Sequence, residues 1–203
     1  MNDRLEQRLL RAVRPLDDPP GPHGWNHEEL SDILETRERA AAAVLVPLVA
    51  RPEGFSILLT RRTEHLSAHG GQVSFPGGRM ETGDADAIAA ALRETREEVG
   101  IGAELLRPFG YLDSLETVSG FWVTPVVAWL DAGYHAQPDP NEVAHVFEVP
   151  LVSFLAPGNL RTLHLSFRGR PREVFEFTHA SEHIWGATAA MLLNLVRRLE
   201  AVA

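Results

Sequence analysis

The chain has no cysteine among its 203 residues. This absence excludes disulfide bonds and thiol catalysis and is typical of cytoplasmic proteins, so we expect a cytoplasmic location. No apolar run reaches the roughly 18 to 20 residues of a membrane span, and the charged N-terminal residues do not resemble a signal peptide. Basic residues are also scarce, with 19 Lys and Arg against 28 Asp and Glu. The net charge of -9 argues against nucleic-acid binding, but it permits a small phosphorylated substrate beside a bound metal.

Apolar periodicity predicts an α/β protein of the α+β type, with helices and strands mixed in one domain. That domain is expected to span residues 38–203, after an N-terminal helical extension over residues 1–37. The predicted helices cover residues 5–13, 27–37, 86–100 and 183–199. The predicted strands cover residues 41–50, 55–61, 105–112, 122–130, 143–149, 163–167 and 174–177, with a hairpin turn at 51–54.

The helix at 86–100 carries the clearest chemical signal. Its predicted core face consists of residues at helical spacing: Ile88, Leu92, Thr95 and Val99. Glu94, Glu97 and Glu98 point away from that face, near the negative end of the helix dipole, where carboxylates repel one another. A hard divalent cation such as Mg²⁺ or Mn²⁺ would compensate that charge. The alternative is a solvated helix face with nearby arginines as partners.

A loop of two consecutive glycines, Phe75-Pro-Gly-Gly78, precedes this helix. Glycine permits backbone geometries closed to other residues and lets a ligand approach the main chain. Taken alone, the loop also suits an ordinary tight turn between a strand and a helix. Its position directly before the acidic helix favours a ligand site.

Loop and helix together resemble the Nudix box, G-x5-E-x7-R-E-U-x-E-E-x-G-U, where U is aliphatic. Gly78 takes the first position, and residues 93–101, Arg-Glu-Thr-Arg-Glu-Glu-Val-Gly-Ile, take the second half. Asp84 stands in place of the first glutamate, with eight residues rather than seven before Arg93, and Thr95 replaces an aliphatic residue. The first acidic position is mostly structural in the family, so these departures leave the metal-binding half intact.

The resemblance implies a Nudix fold, an αβα sandwich with a mixed β-sheet, and hydrolysis of a nucleoside diphosphate linked to another group. It implies Mg²⁺ or Mn²⁺ as cofactor, with Glu97 and Glu98 as the main ligands. Glu94 is then a further ligand or orients the attacking water, and the Gly78 carbonyl completes the metal's shell. A metal on the pyrophosphate and a carboxylate that accepts the proton of water suit this reaction.

The upstream residues 58–78 are similar to an additional signature of the coenzyme A pyrophosphatase subgroup, close to LLTxRxxxLxxHxGQVxFPGG. The implied substrate is coenzyme A or an acyl-CoA, cleaved to 3',5'-ADP and 4'-phosphopantetheine or its acyl form. The candidate substrate contacts are Arg61, Arg62, His69, Gln72 and Gly77. The two arginines equally suit a solvated strand end, and His69 and Gln72 equally suit hydrogen bonding within the loop.

Further candidates lie outside both patterns. Glu142 and Glu116 are each interpreted as a catalytic base or extra metal ligand, or else as solvent-facing loop acids. A basic run suits either a solvated hairpin turn or a contact with the 3'-phosphate of coenzyme A; its members are Arg168, Arg170 and Arg172. Three aromatic residues are interpreted as core rather than as adenine-stacking groups: Phe121, Trp122 and Trp185.

Other functions stay open at this point. The same metal chemistry serves hydrolysis of ADP-ribose or of dinucleotides such as NADH, since only pocket contacts would differ. A non-catalytic Nudix module would bind a nucleotide or a protein, but such modules usually lose the glutamates that this chain retains. A purely structural acidic helix would require both patterns to coincide by chance. The expected partner is a small-molecule substrate, without nucleic acid or membrane, and a homodimer is compatible with the family.

Overall fold

The structure is a computed structural model that describes residues 2–21, 23–34, 39–66, 69–167 and 169–203. Its helices are α1 Asn2–Ala12, α2 His27–Leu34, α3 Ala87–Val99, α4 Leu151–Leu155 and α5 Gly186–Ala201, with a 3₁₀ turn at Ala103–Leu105. Its first strands are β1 Ala40–Arg51, β2 Gly54–Arg62, β3 Val73–Ser74, β4 Gly77–Arg79, β5 Leu106–Tyr111 and β6 Leu115–Glu116. The others are β7 Phe121–Leu130, β8 Val143–Pro150, β9 Leu160–Phe167, β10 Arg170–His179 and β11 Glu182–Trp185.

A mixed sheet of eight strands forms the centre of the described structure. Its main path runs β3-β2-β1-β7-β5, while β4, β6 and β8 pair with β1, β7 and β2. The long apolar strands β1 and β7 are parallel, and every other pair in this sheet is antiparallel. Continuous apolar sequence suits β1 because both of its faces are covered. A second sheet of three strands has the order β11-β10-β9.

Alternating side chains of β1 enter two separate cores. Val46 and Leu48 join a cluster that also contains residues of α1, α4 and α5, whereas Leu45 and Val49 join a cluster that contains residues of α3. This alternation follows from the two-residue period of a strand. Helices therefore cover both faces of the mixed sheet, which confirms the predicted αβα sandwich.

The N-terminal helix α1 packs on the same side of the sheet as α5. Leu9, Ala12 and Val13 are buried in the first core cluster, and the Arg8 guanidinium donates a hydrogen bond to the Leu199 carbonyl. The division of the chain at residue 37 stays a prediction. No helix in the described part of the chain is long and apolar enough to cross a membrane.

Most predicted elements are confirmed, with shifts of up to four residues at their ends. The last helix is the main correction, because residues 183–185 belong to β11 and pair with β10. Gly186, at φ 63°, then turns the chain into α5. The predicted helix at 27–37 is present as α2, and residues 35–38 lie outside the described ranges. Arg168 of the basic run also lies outside them.

Candidate active site

The glycine loop is held against the centre of the sheet. Gly77 and Gly78 pair with Val44 and Ala43 of β1. Gly77 has a φ of 151°, and an added Cβ would lie 2.4 Å from the Ala43 carbonyl oxygen. Both the conformation and the space therefore require glycine at this position. The loop backbone consequently runs along β1 with its N–H groups and carbonyls close to α3.

Helix α3 begins and ends as its sequence predicts. The Asp86 carboxylate caps the first turn by accepting a hydrogen bond from the Ala89 N–H at 2.8 Å. Gly100 ends the helix in the left-handed conformation at φ 67°. Thr95 and Val99 are buried, while Ile88 and Leu92 pack partly buried against the second core cluster. This orientation directs Glu94 and Glu98 toward the glycine loop.

Glu98 is the most buried acid of the helix, with 3% of its surface exposed. Its Oε2 accepts a hydrogen bond from the Gly77 N–H at 3.0 Å, and its Oε1 accepts one from Arg62 Nη1 at 3.3 Å. Burial raises the pKa of Glu98 to about 7; Gly77 and Arg62 act to lower it, and the Glu142 and Glu94 carboxylates to raise it. A nearby cation would favour the charged form.

Arg93 joins the other two helix glutamates. Its Nη1 donates to Glu94 Oε1 at 2.9 Å and to Glu97 Oε2 at 3.0 Å. Burial raises the pKa of Glu94, while Arg93 acts in the opposite direction. An added Cβ on Gly78 would lie 2.6 Å from this carboxylate, so the second glycine also leaves room for an acid. The Glu97 side chain, in contrast, is 59% exposed.

Asp84 forms a bidentate ion pair with Arg93. Its Oδ1 and Oδ2 accept hydrogen bonds from Arg93 Nε and Nη2, each at 3.0 Å. Asp84 also accepts the Glu81 N–H at 2.8 Å, and Arg93 donates to the Arg79 carbonyl at 3.1 Å. Parallel hydrogen bonds of this kind fix the guanidinium plane. The extra residue in the box is thus accommodated, with Asp84 positioning Arg93 between loop and helix.

A cavity of about 820 Å³ lies beside the loop and helix. Its polar lining includes residues of the box and of the upstream signature, together with Glu142: Arg62, His69, Gln72, Gly77, Gly78, Glu94, Glu98 and Glu142. Arg61 and Glu97 do not line it. The structure therefore brings together all the site residues predicted from the box and the signature except these two. Of the basic run, Arg172 lines the cavity and Arg170 does not.

The two adjacent arginines point to different places, as alternation along β2 requires. Arg62 lines the cavity and contacts Glu98. Arg61 lies 3.5 Å from carboxylate oxygens of both Glu64 and Glu182, outside the cavity. Of the two candidate phosphate contacts, only Arg62 is placed beside the box.

His69 and Gln72 act together within the loop before the box. His69 has a φ of 59°, unusual for a residue other than glycine, and its Nδ1 lies 2.9 Å from Gln72 Oε1. Both side chains line the cavity. The predicted hydrogen bond within the loop is thus present, and both side chains are also accessible to a ligand in the cavity.

The cavity also has an apolar lining, which includes Phe121 and Trp185. Phe121 begins β7 and packs partly buried against the first core cluster. Trp185 ends β11 and is 36% exposed, so its interpretation as core was wrong. Trp25 and Leu30 of the N-terminal region also belong to this lining.

Glu116 is buried and is not a solvent-facing loop acid. Its carboxylate accepts a hydrogen bond from Arg39 and lies 2.9 Å from His27 Nδ1. His23, His27 and Glu116 are the single group of three or more His, Asp or Glu side chains in the described ranges whose ligand atoms all lie within 4.8 Å of one another. This cluster was not predicted from the sequence, although the four-residue spacing of the two histidines was a signal for it.

The acids that line the cavity suit a hard divalent cation. Carboxylate and carbonyl oxygens are the donors that Mg²⁺ and Mn²⁺ prefer, and Glu94, Glu98 and Gly78 supply them side by side. Their charge is shared at present by Arg62 and Arg93. The donor chemistry fits the expected cofactor.

Comparison with known proteins identifies the family. The model of the NUDIX domain matches residues 39–176. The chain belongs to the Nudix family. A curated relative from Citrobacter koseri, named "Uncharacterized Nudix hydrolase NudL", is 41% identical over 81% of this chain and 85% of the relative. A relative of the same name from Cronobacter sakazakii is 44% identical over 78% and 82%.

A solved structure supports the fold of this Nudix hydrolase. A MutT/nudix family protein from Enterococcus faecalis superposes with a TM-score of 0.55 at 17% identity, covering 87% of this chain and 73% of that one. Nudix hydrolases use divalent metal ions, in agreement with the oxygen donors beside the glycine loop. The names of the relatives state the family and no substrate.

Proposed function

We propose that this Nudix hydrolase cleaves the pyrophosphate of coenzyme A or of an acyl-CoA. The products would be 3',5'-ADP and 4'-phosphopantetheine or its acyl form. One observation carries the proposal: the upstream signature, which the Nudix box does not require, lies on the same cavity as the box acids. The signature residues on that cavity wall are Arg62, His69, Gln72 and Phe75.

The lining of the cavity supports a substrate with one anionic and one apolar part. It contains acids and Arg62 as well as Trp25, Phe121 and Trp185. The pyrophosphate would bind at the acids and Arg62, and the pantetheine arm, or an acyl chain on it, would contact the aromatic residues. Burial of such a chain is favourable by about 25 cal/mol per Å² of apolar surface.

The cation would be held by Glu98, Glu94, Glu97 and the Gly78 carbonyl. When bound, Mg²⁺ or Mn²⁺ neutralises charge on the pyrophosphate and makes water a better nucleophile. Glu97 would reach such a site only by turning away from Arg93, since its carboxylate now lies 3.0 Å from Arg93 Nη1.

The protein groups have separate tasks in this proposal. Arg62 binds a phosphate oxygen, for which a guanidinium is well suited. Glu142, an exposed acid on the cavity wall, accepts the proton of the attacking water. One water is consumed, one P–O bond of the pyrophosphate breaks, and the leaving phosphate carries away its electron pair.

A substrate panel tests the proposal. The purified protein is incubated with Mg²⁺ or Mn²⁺ and with coenzyme A, ADP-ribose, NADH or a diadenosine polyphosphate, and products are identified by mass. The proposal expects coenzyme A or an acyl-CoA to give the highest kcat/KM. Faster cleavage of ADP-ribose or NADH would assign another nucleoside diphosphate substrate, and tight binding without turnover would indicate a non-catalytic module.

A further inference from the structure

A second cluster of metal-binding groups, made of residues outside the Nudix box, lies between the N-terminal segment and β6. It comprises His23, His27 and Glu116, whose ligand atoms all lie within 4.8 Å of one another. His27 Nδ1 is 2.9 Å from Glu116 Oε2 and 3.1 Å from Oε1. The histidine rings are also adjacent, with centroids 4.6 Å apart.

Hydrogen bonds of Trp25 and Asn26 hold the turn that contains the two histidines against β6 and the preceding residue Ser114. Asn26 donates through Nδ2 to the Glu116 carbonyl at 2.8 Å and accepts the Glu116 N–H through Oδ1 at 2.9 Å. The Trp25 N–H donates to the Ser114 carbonyl at 2.9 Å. An added Cβ on Gly24 would lie 2.7 Å from the Glu116 nitrogen, so glycine permits this close approach. These contacts hold the three side chains together in addition to the contacts that they make with one another.

The donor set differs in chemistry from that of the box. Two imidazoles and one carboxylate suit a borderline transition-metal ion, whereas Mg²⁺ and Mn²⁺ prefer oxygen donors alone. Three protein ligands with a fourth position open is a common arrangement for Zn²⁺. Tetrahedral ligands at about 2.0–2.1 Å from zinc lie roughly 3.3 Å from one another, so ligand atoms now within 4.8 Å would have to approach by at most about 1.5 Å.

We propose that His23, His27 and Glu116 form a second divalent-metal site, selective for Zn²⁺ over Mg²⁺. The ion joins the N-terminal segment to the sheet at the cavity wall, because Trp25, Asn26 and Glu116 all line the cavity. Glu116 is buried and His23 is exposed, so one ligand is fixed while another is accessible from solvent. This proposal is independent of the substrate.

Arg39 supplies the competing interaction. It donates a hydrogen bond to Glu116 Oε1 and so balances the buried charge when no ion is bound. Zn²⁺ would take over that role, and the two cations repel one another. Removing the guanidinium should therefore strengthen zinc binding. If Arg39 and Glu116 form only a structural ion pair, neither the wild type nor the variant should bind zinc there.

Calorimetric titration of the full chain tests the site. Protein freed of metal by a chelator is placed in excess Mg²⁺ and titrated with ZnCl₂. We expect one Zn²⁺ per chain, an affinity loss of about tenfold or more in His23→Asn and His27→Asn, and tighter binding in Arg39→Gln. A Glu97→Gln/Glu98→Gln variant is the control for zinc bound at the Nudix box, and it should bind zinc as the wild type does.

Co²⁺ provides a second readout, since its visible absorption reports tetrahedral coordination. The band should appear in the wild type and be absent from His23→Asn, an exposed substitution that leaves the buried Glu116 contacts in place. Zinc binding that persists in His23→Asn and disappears in the box variant would overturn the proposal. Absence of zinc binding in the wild type would overturn it equally.

Discussion

The carboxylate of Glu98 accepts a hydrogen bond from the backbone N–H of Gly77, with 3.0 Å between Oε2 and N. This contact joins the acidic helix to the glycine loop and leaves Glu98 with only 3% of its surface exposed. The loop therefore positions a helix acid, and the glycine that donates the hydrogen bond also occupies a backbone conformation that disfavours side chains.

Gly77→Ala should destabilise the protein. The φ of 151° and the added Cβ, 2.4 Å from the Ala43 carbonyl oxygen, together impose strain of about 1–3 kcal/mol or more. Urea denaturation measures the loss in the free energy of unfolding. Gly83→Ala is the matched control, because an added Cβ there meets nothing within 4 Å, and its effect should stay within about 0.5 kcal/mol. Equal effects at both glycines would contradict the steric explanation.

Glu97→Gln and Glu98→Gln should each lower kcat by about 10²- to 10⁴-fold while the protein stays folded. Both remove a charge that the proposed cation requires. Rates are measured with the fastest substrate of the panel over a range of Mg²⁺ concentrations, with circular dichroism as a check of folding. Glu53→Gln, in an exposed turn, is the control and should retain wild-type rates. Near wild-type rates in a folded Glu98→Gln variant would rule out the assigned metal site.

Of the two adjacent arginines at the end of β2, Arg62 lies at the candidate site and Arg61 lies outside it. Arg62→Gln should lower kcat/KM by about 10- to 100-fold, since hydrogen bonds to charged groups contribute about 1.5–3 kcal/mol. Arg61→Gln should change it less than about threefold, because Arg61 contacts Glu64 and Glu182 outside the cavity. Steady-state kinetics on both variants measure the difference. The assignment of Arg62 fails when the two variants are equally impaired.

Local sequence is sufficient to predict α3 and its loop. The N-cap Asp86, the C-cap Gly100 and the three glutamates all lie within one stretch of fifteen residues. Local sequence is therefore enough to predict them. The long strands β1 and β7 are predictable for a similar reason, since they are apolar runs, whereas the two- and three-residue strands β3, β4 and β6 were not predicted. The sandwich around them is confirmed by the structure.

Local sequence patterns do not predict contacts between residues that lie far apart in the sequence. Glu116 is buried by His27 and Arg39, which are 89 and 77 positions away. Nothing near Glu116 distinguishes it from an exposed loop acid. Residues 183–185 continue a helical apolar pattern but pair with β10, so tertiary pairing overrides their periodicity.

Asp84 should stabilise the folded protein at neutral pH and lose this contribution in acid. Its hydrogen bonds with Arg93 lower its pKa in the folded protein below the unfolded value of about 3.9. The contribution is present above that unfolded value and is lost as pH falls through the lower folded pKa. The stability difference between wild type and Asp84→Asn should therefore shrink as pH falls below about 4, as measured by urea denaturation across pH 3–7. Ala85→Ser, an exposed uncharged neighbour, should show a constant difference.

The N-terminal helix provides a test of the domain division at residue 37. Leu9 is fully buried in the core cluster shared with α5, whereas Leu10 is 48% exposed. Leu9→Ala should cost about 2–5 kcal/mol in the free energy of unfolding, because it leaves a cavity in that cluster. Leu10→Ala, the adjacent control, should cost less than about 0.5 kcal/mol. A single urea transition with the full loss at Leu9 would join α1 to the Nudix core. A separate early transition, with the main transition unchanged, would instead establish residues 1–37 as an independent extension.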